Sequence, residues 1–147
     1  MNEPWRAYLT GLDPAIECRP SANAVQIAVA EVRLAVTFPG ELKDLLAATN
    51  GVADQYGCHL VWPIERIEED NLQMQGDLEY HRLYMPFDCL LFFSDAGNGD
   101  QFAYSICAGV IRRTDIFVWD HEDDSRTWVA PDLRIFLSWW TSGRIAV

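Results

Sequence analysis

Two aspartates flank a glycine-rich turn in the middle of the sequence, and carboxylates in such a turn could hold a metal ion. The stretch FFSDAGNGDQFAY, residues 92–104, places Asp95 and Asp100 on either side of Gly97-Asn98-Gly99. A calcium loop starting at Asp95 would need side-chain oxygens at its third and fifth positions, where the two glycines stand. A phosphate-binding loop is disfavoured, since the turn has no lysine and its carboxylates would repel an anion. Asparagine and glycine accept the positive φ of tight turns, so the stretch predicts a β-hairpin.

A second acidic stretch, DHEDDSR at residues 120–126, raises the same question. A calcium loop starting at Asp120 would meet Ser125 where glycine is required and Pro131 where a bidentate glutamate is required. Paired carboxylates could also perform acid–base catalysis, but that chemistry needs burial to separate their pKa values. We therefore interpret the stretch as a solvated turn between strands, whose exposed acids remain able to bind a basic partner.

Nucleophiles and metal ligands are sparse in the rest of the sequence. It has no G-x-S-x-G elbow, and Cys58 and His59 would point to opposite faces of a strand. The cysteines and histidines lack the spacing of zinc ligands, so His59, His81 and His121 are expected to be structural or surface residues. We predict no catalytic residue, no metal site and no cofactor.

Composition and charge restrict the kind of partner. The chain has 147 residues, half of them hydrophobic, and a net charge of −11, which disfavours nucleic acid and anionic membranes and favours a basic protein. Its start, MNEPWRAYLTGLDPAIE, lacks the pattern of a signal peptide, so we expect a cytoplasmic location. Four cysteines would then be reduced and mostly buried, with a disulfide left open if the protein is exported by another route: Cys18, Cys58, Cys89 and Cys107. We expect five tryptophans in the core: Trp62, Trp119, Trp128, Trp139 and Trp140.

Helix signals come first along the chain, and strand signals follow. Helices are expected at residues 3–11, from near Ser21 to residue 36, from Pro39 to a left-handed stop at Asn50-Gly51, and from Pro131 to Gly143. Residues 64–75 read as a helical turn or a loop segment. Strands are expected at residues 57–63, 89–95, 101–107, 109–113, 115–120 and 126–130. This order predicts one α+β domain over residues 1–147, with a mostly antiparallel sheet and a closing helix.

Three features follow one another along the chain: the helix that ends in Asn50-Gly51 after Pro39, Gly97-Asn98-Gly99-Asp100 between two aromatic strands, and Trp119-Asp120-His121-Glu122 before a turn and the closing helix. In this order and at these intervals, these features resemble the SUKH superfamily, specifically its Smi-Knr type. The resemblance extends from about Phe38 to Trp140, while residues 1–37 match less well and form an extension whose role stays open.

The resemblance implies a helix-packed antiparallel sheet and a domain without catalytic activity. Bacterial members commonly act as immunity proteins that bind and block a toxin, often a nuclease, delivered by a sister cell. Fungal relatives serve instead as regulatory scaffolds in cell-wall synthesis. Because the binding faces vary with the toxin, no contact residue transfers from the family to this sequence.

We therefore predict a cytoplasmic immunity-type protein that binds a basic toxin and contacts neither nucleic acid nor membrane. Both acidic turns are expected at one end of the sheet, and the partner-binding residues are Asp95, Asp100, Asp120, Glu122, Asp123 and Asp124, with Glu68, Glu69 and Asp70 as the second choice. The alternatives are a regulatory scaffold with several partners and, more remotely, a small hydrolase using the carboxylates at the glycine turn. The oligomeric state stays open, a monomer being compatible with an acidic single domain.

Overall fold

The computed structural model describes residues 3–147. Helices and short strands alternate in the first half of the chain, and four consecutive strands and a final helix follow. The helices are α1 (Trp5–Leu12), α2 (Ala24–Leu34), α3 (Gly40–Ala48), α4 (Ile64–Gly76), α5 (Leu78–Leu83) and α6 (Leu133–Thr141). The strands are β1 (Glu17–Cys18), β2 (Val52–Ala53), β3 (His59–Val61), β4 (Leu90–Asp95), β5 (Gln101–Ser105), β6 (Ile116–Trp119) and β7 (Arg126–Ala130). Within residues 3–147, no helix combines the length and the apolar character that crossing a bilayer requires.

The strands form two antiparallel sheets. β1, β2 and β3 make a small sheet, and β4 to β7 make a four-stranded meander in chain order. Across the meander, Phe92 lies opposite Ala103, Ala103 opposite Phe117, and Phe117 opposite Trp128. With helices packed around these sheets and α6 closing the chain, the structure confirms the predicted α+β fold.

Aromatic side chains pack on both faces of the meander. On one face, Phe136 of α6 contacts Phe93 and Phe102, with ring centroids 5.6 and 4.7 Å apart. On the other, Phe87 contacts Phe92 and Trp119, with centroids 5.7 and 5.1 Å apart. Because both faces are covered at β4, its side chains are buried without alternation, which explains its continuous apolar run.

The two sheets meet where β3 passes β4. The backbone N–H of Trp62, just after β3, donates to the carbonyl of Phe93 at 2.8 Å. The Ser94 hydroxyl, fully buried, donates to the carbonyl of Leu60 at 2.7 Å. These bonds join the sheets through main-chain groups that would otherwise be buried without a partner.

A buried asparagine on α4 completes this junction. Asn71 is 1% exposed, and its Oδ1 accepts from the backbone N–H of Phe92 at 2.9 Å. Its Nδ2 donates to the Phe92 carbonyl at 2.8 Å and to the Ile67 carbonyl at 2.7 Å. The side-chain amide therefore pairs with Phe92 on the side of β4 that faces away from β5, as a neighbouring strand would.

A partly buried carboxyl joins α3, β5 and α6. Glu41, in the first turn of α3, accepts from the backbone N–H of Leu133 at 2.6 Å and from the Tyr104 hydroxyl at 3.3 Å. Burial raises the pKa of Glu41 to about 7, although the hydrogen bond from Leu133 acts in the opposite direction. Burial and the neighbouring Glu41 also raise the pKa of Tyr104.

Several helix boundaries differ from the sequence predictions. α2 begins at Ala24 instead of near Ser21, because Asn23 caps it: the Asn23 side chain accepts from the Val25 N–H at 2.7 Å, and Gln26 completes the capping box. Pro39 precedes the first residue of α3 instead of occupying that position.

The Asn50-Gly51 pair does not act as the predicted helix stop. α3 ends at Ala48, and the residue after it, Thr49, is extended. Asn50 instead caps α4 from a distance, since its Oδ1 accepts from the backbone N–H of Ile64, the first residue of that helix, at 2.8 Å. Gly51, at φ 92°, passes so close to Pro63 that a Cβ would lie 2.9 Å from its nitrogen. Asn50 therefore caps α4, and Gly51 allows the chain to pass close to the residue before that helix.

Residues 64–75 belong to the 13-residue helix α4, so the prediction of a helical turn or a loop there was wrong. The charged residues of α4 concealed an apolar face, where Ile64, Ile67 and Met74 are buried around Asn71. The predicted strand at residues 109–113 is absent: only an isolated bridge joins Cys107 and Val110 there.

Two predictions about burial need correction. Three cysteines (Cys58, Cys89 and Cys107) are exposed and Cys18 is partly exposed, so the thiols are free but not mostly buried. Trp62 and Trp119 lie in the core as predicted, and Trp139 and Trp140 pack against it partly buried. Trp128, on β7, is 47% exposed, so this tryptophan does not lie in the core.

Replacing Asn71 with leucine should strongly destabilise the protein. The variant leaves the N–H and C=O of Phe92 buried without partners, and each such group costs about 1–3 kcal/mol, so we expect a loss of about 2–6 kcal/mol in the free energy of unfolding. Urea denaturation followed by tryptophan fluorescence measures it. Gln73→Leu, on the exposed side of the same helix, is the control and should change stability by less than about 0.5 kcal/mol. Equal losses in the two variants would contradict the role assigned to Asn71.

Replacing Glu41 with glutamine should change how stability depends on pH. Since the folded-state pKa is raised to about 7, the native state holds a proton that the unfolded chain has released between the ordinary glutamate pKa and 7. The contribution of this group is fully present below the ordinary pKa and is lost as the pH rises through 7. Glutamine keeps the acceptor oxygen without titrating, so its stability relative to wild type should rise between pH 5 and pH 8. Denaturation at both pH values tests this, with Glu41→Leu, which has no acceptor, expected to be destabilised at each pH.

Candidate functional site

The two acidic turns lie side by side at one end of the meander. The register of β5 and β6 pairs Gln101 with Trp119, so residues 96–100 and residues 120–125 follow from neighbouring strand ends. Asp100, 6% exposed, joins them: its Oδ1 accepts from the backbone N–H of His121 at 3.2 Å and lies 2.6 Å from His121 Nδ1. Their predicted common location at one end of the sheet is correct.

The glycine turn is shaped by its contact with the histidine ring. Gly97 and Gly99 have φ of 83° and 103°, in the left-handed region that glycine favours. A Cβ at Gly99 would lie 2.8 Å from Cε1 of His121. The predicted hairpin is therefore correct, and its second glycine is also required by the close approach of the other turn.

Asp95 is held by residues from outside its own hairpin. Its Oδ2 accepts from the indole N–H of Trp62 at 2.7 Å and pairs with Arg66 at 3.1 Å, while its Oδ1 accepts from the Gly97 N–H at 2.9 Å. The Arg66 guanidinium stacks over the Trp62 ring at 4.1 Å and also pairs with Asp70 at 3.0 Å. Arg66 thus connects the first-choice acids of the turns with the second-choice acids of α4.

Asp124 is held in the same way in the other turn. It has a φ of 63° and accepts from the indole N–H of Trp119 at 2.7 Å and from the Met85 N–H at 2.8 Å. It also pairs with Arg126 at 3.1 Å. Burial alone would raise the pKa of Asp124, but these hydrogen bonds and the guanidinium hold it below its ordinary value. Asp124 is therefore a structural residue of the turn.

The remaining acids of this turn are more available to a partner. Glu122 and Asp123 are exposed, and Asp120 is partly exposed. Asp120 and Asp123 accept locally, from the N–H of Glu122 at 2.8 Å and of Ser125 at 2.9 Å. The bonds from Ser125 lower the pKa of Asp123, which keeps it ionised. These carboxylates project from the end of the sheet without an ion pair among residues 3–147.

The acids of α4 divide similarly. Glu68 pairs with Arg33 of α2, and Asp70 pairs with Arg66. Glu69 is exposed and has no salt bridge in the described part of the chain. Glu65, one turn before it, is also exposed and, among residues 3–147, accepts only from the neutral amide of Asn50, at 3.1 Å. Glu65 was not among the predicted residues, although its i, i+4 spacing from Glu69 would have placed both on one side of the helix.

One group in this region has a geometry that a cation could use. Ligand atoms of Asp100, Asp120 and His121 lie within 4.8 Å of one another. The hydrogen bond to Asp100, helped by the charges of Asp100, Glu122 and Asp120, raises the pKa of His121, although desolvation opposes this. A proton therefore competes with any metal for the ring. The absence of a metal site stays a prediction.

The other histidines have local roles. His81 Nε2 lies 2.7 Å from the carbonyl of Gln75, which ties α5 to the end of α4. The pKa of His59 is lowered, first by burial and then by the charge of Arg66. Neither histidine lies in the group of potential ligands found among residues 3–147.

Sequence reasoning missed two residues that organise this site. Arg66 stands four residues before Asp70, a spacing that indicates an ion pair on one helix face. Asn71 interrupts the apolar stripe of α4, and a polar residue in such a stripe signals a buried hydrogen bond. The partners of both residues on β4 are distant in sequence and left no local signal.

Comparison with known proteins identifies one family. A family model described as SUKH_6: SMI1-KNR4 cell-wall matches residues 25–137. The match begins at α2, inside residues 1–37, where the sequence resemblance is weaker. No curated protein matches the chain significantly.

Replacing Asp100 with asparagine should lower the pKa of His121. Asparagine keeps an oxygen for the His121 backbone N–H but removes the hydrogen-bonding charge that favours the imidazolium. NMR titration of the ring Hε1 proton gives the pKa in each protein. The same raised pKa means that the turn-to-turn contact stabilises the fold below the ordinary histidine pKa and weakens as the pH rises through the folded value. Glu122→Gln removes a more distant charge and should lower the pKa of His121 less. A larger shift in this variant than in Asp100→Asn would contradict the role assigned to Asp100.

Proposed function

The chain belongs to the SMI1-KNR4 cell-wall (SUKH_6) family, and we propose that it is an immunity-type protein that binds and neutralises a basic toxin in the cytoplasm. The family match, over residues 25–137, is the observation that carries the proposal, because such domains are in general non-enzymatic and of the immunity or Smi1-Knr4 type. The family match does not itself give the immunity role, the toxin or the basic surface of the toxin, and these three points are our proposal.

The charge of the protein supports a basic partner. The chain has 22 acidic residues against 11 basic ones, for a net charge of −11. A toxin that acts on nucleic acid needs lysines and arginines to meet phosphates. Such a protein would be attracted to this chain at long range, and opposite charges raise association rates by about 10- to 1,000-fold at low salt.

Binding receives more support than hydrolysis from the carboxylate geometry. Asp95 is occupied by Trp62 and Arg66, and Asp100 by His121. A hydrolase of the kind considered above would need these two carboxylates to act on one substrate, one as acid and the other as base. Their separate internal partners disfavour that alternative.

We place the binding face on the sheet end and the adjoining part of α4. The acids that are free to meet cations there are Asp120, Glu122, Asp123 and Glu69. The other proposed residues have internal hydrogen bonds or ion pairs that hold the turns and α4 in place. They contribute charge to the face but not free carboxylates: Asp95, Asp100, Asp124, Glu68 and Asp70.

A capture experiment tests the function. The tagged protein is incubated with lysate of the source organism at low and at high salt, and the bound proteins are identified by mass spectrometry. An immunity protein should retain one dominant basic partner, less of it at high salt, and that partner's toxic activity should fall when the two are mixed. Several weakly held partners would favour a regulatory scaffold, and a captured protein whose activity is unaffected would contradict neutralisation.

Charge substitutions test the face. Glu122→Lys combined with Asp123→Asn should slow association with the captured toxin about tenfold at low salt, with little change in dissociation, since the asparagine amide would keep the oxygen that accepts from Ser125. The matched control, Asp44→Lys with Glu17→Gln, makes the same charge change on exposed residues elsewhere. Stopped-flow measurements over a salt series compare them. If both variants slow association equally, net charge rather than this face is responsible.

A further inference from the structure

Helix α2 has a second apolar face that the fold does not cover. Its inner face carries Ile27, Ala30 and Leu34, all buried. Its outer face carries three valines that are largely exposed: Val25 at 67%, Val29 at 46% and Val32 at 80%. Valine lowers helix propensity, and these side chains contribute little to the core, so the fold itself does not account for them.

The spacing of these valines suits contact with another helix. Val25, Val29 and Val32 are separated by four and then three residues, the interval of a coiled-coil seam. Ala24 and Ala28, both exposed, lie beside them and would permit close approach of a partner backbone. The face is therefore shaped to receive an apolar helical stripe.

A groove beside the valines is bordered by acids. Between α2 and α4 lies a cavity of about 180 Å³ whose lining includes Val25, Val29 and Ile64 together with Glu65 and Glu68. Glu69 follows Glu65 by one helical turn. Arg33 of α2 lies near this border, and Glu68 already pairs with it. The groove thus combines an apolar floor with a net negative wall.

We propose that this surface, formed by Val25, Val29, Val32, Glu65 and Glu69, is the docking site for an amphipathic cationic helix of the protein partner. The valines would pack against its apolar stripe, and lysines or arginines along its flank would meet the two exposed glutamates. This inference rests on the proposed function, because it names the part of a basic partner that the immunity-type protein would hold.

Charge and area favour this occupant over a second copy of the chain. A second copy would bring another net charge of −11, and another set of these glutamates, against the same groove. Burying a valine corresponds to roughly 100 Å² of apolar surface, so the three valines offer at most about 300 Å² of it. A stable dimer buries about 800 Å² on each partner, and this stripe would have to overcome the repulsion as well.

A synthetic peptide tests the site directly. The probe is an 18-residue helical peptide with leucines at seam positions and lysines on both flanks, and its control has glutamates in place of the lysines. Isothermal titration should give the lysine peptide a dissociation constant of about 10–100 µM at low salt, weakening at least threefold between 50 and 300 mM salt. The glutamate peptide should not bind.

Three variants locate the binding. Val25→Gln with Val29→Gln and Val32→Gln should weaken peptide binding at least tenfold, and glutamine keeps the helix intact. Glu65→Gln with Glu69→Gln should weaken it about threefold at low salt and hardly at high salt. Val110→Gln, which changes a valine that is 49% exposed in another part of the chain, should have no effect. Circular dichroism and melting curves confirm that each variant is folded.

Several results would overturn the docking site. The docking site is wrong if the lysine peptide does not bind, if both peptides bind equally, or if the triple valine variant binds the peptide as wild type does. It is also wrong if sedimentation shows that the wild-type protein is a dimer and the triple valine variant a monomer. The proposed function fails separately. If the triple valine variant still captures and neutralises the toxin, the docking site is wrong and the function stands; if the peptide binds as expected but no toxin is captured, the reverse holds.

Discussion

The side-chain amide of Asn71 replaces a strand that the fold does not contain. β4 is the edge strand of the meander, and at Phe92 its outward N–H and C=O are buried under α4, where water cannot reach them. One amide supplies both the donor and the acceptor that a paired strand would have provided. Because this bond pair fixes the position of α4 on the sheet, everything else that α4 carries depends on it: the arginine that reaches the turns, the wall of the α2–α4 groove and the cap from Asn50.

Tryptophan and aspartate form a second recurring arrangement. The indole N–H groups of Trp62, Trp119 and Trp128 each donate to an aspartate, respectively Asp95, Asp124 and Asp115, at 2.7–2.8 Å. A buried indole needs an acceptor, and a carboxylate is a stronger acceptor than a carbonyl. Part of the acidic composition is therefore explained by the tryptophans. The pKa of Asp115 is lowered first by the bond from Trp128, which shows the same coupling at an exposed position.

Local patterns in the sequence predicted the elements whose cause is local. The Gly97-Asn98-Gly99 hairpin, the apolar strands of the meander and α6 with its left-handed Gly143 all follow from turn chemistry and periodicity. The errors have non-local causes. α4 was underestimated because its charges are more numerous than its buried residues, and Asn50 was assigned to the wrong helix because its partner, Ile64, lies on the other side of the small sheet's last strand. The acidic turns were found, but which acids are free depends on Trp62, Arg66 and Met85, and no local pattern connects those residues to the turns.

Acids with and without internal partners contribute differently to long-range attraction and to direct contact with a partner; we call those with an internal hydrogen bond or ion pair engaged. An aspartate that accepts from an indole or pairs with an arginine still adds its charge to the field around the protein, so every carboxylate contributes to attracting a basic partner over about 10 Å. In contact, by contrast, an engaged carboxylate can bind a partner's lysine only by giving up an internal bond, which would loosen the turn that presents it. Specific contacts must therefore come from the few acids without such duties and from the exposed apolar surface beside them. Glu122 meets the first condition at the sheet end, and Glu69 meets it on α4, one turn from Glu65, which lines the groove beside Val25 and Val29. If the proposed function holds, the sheet end would accelerate the encounter, and the groove between α2 and α4 would distinguish the cognate partner from other basic proteins.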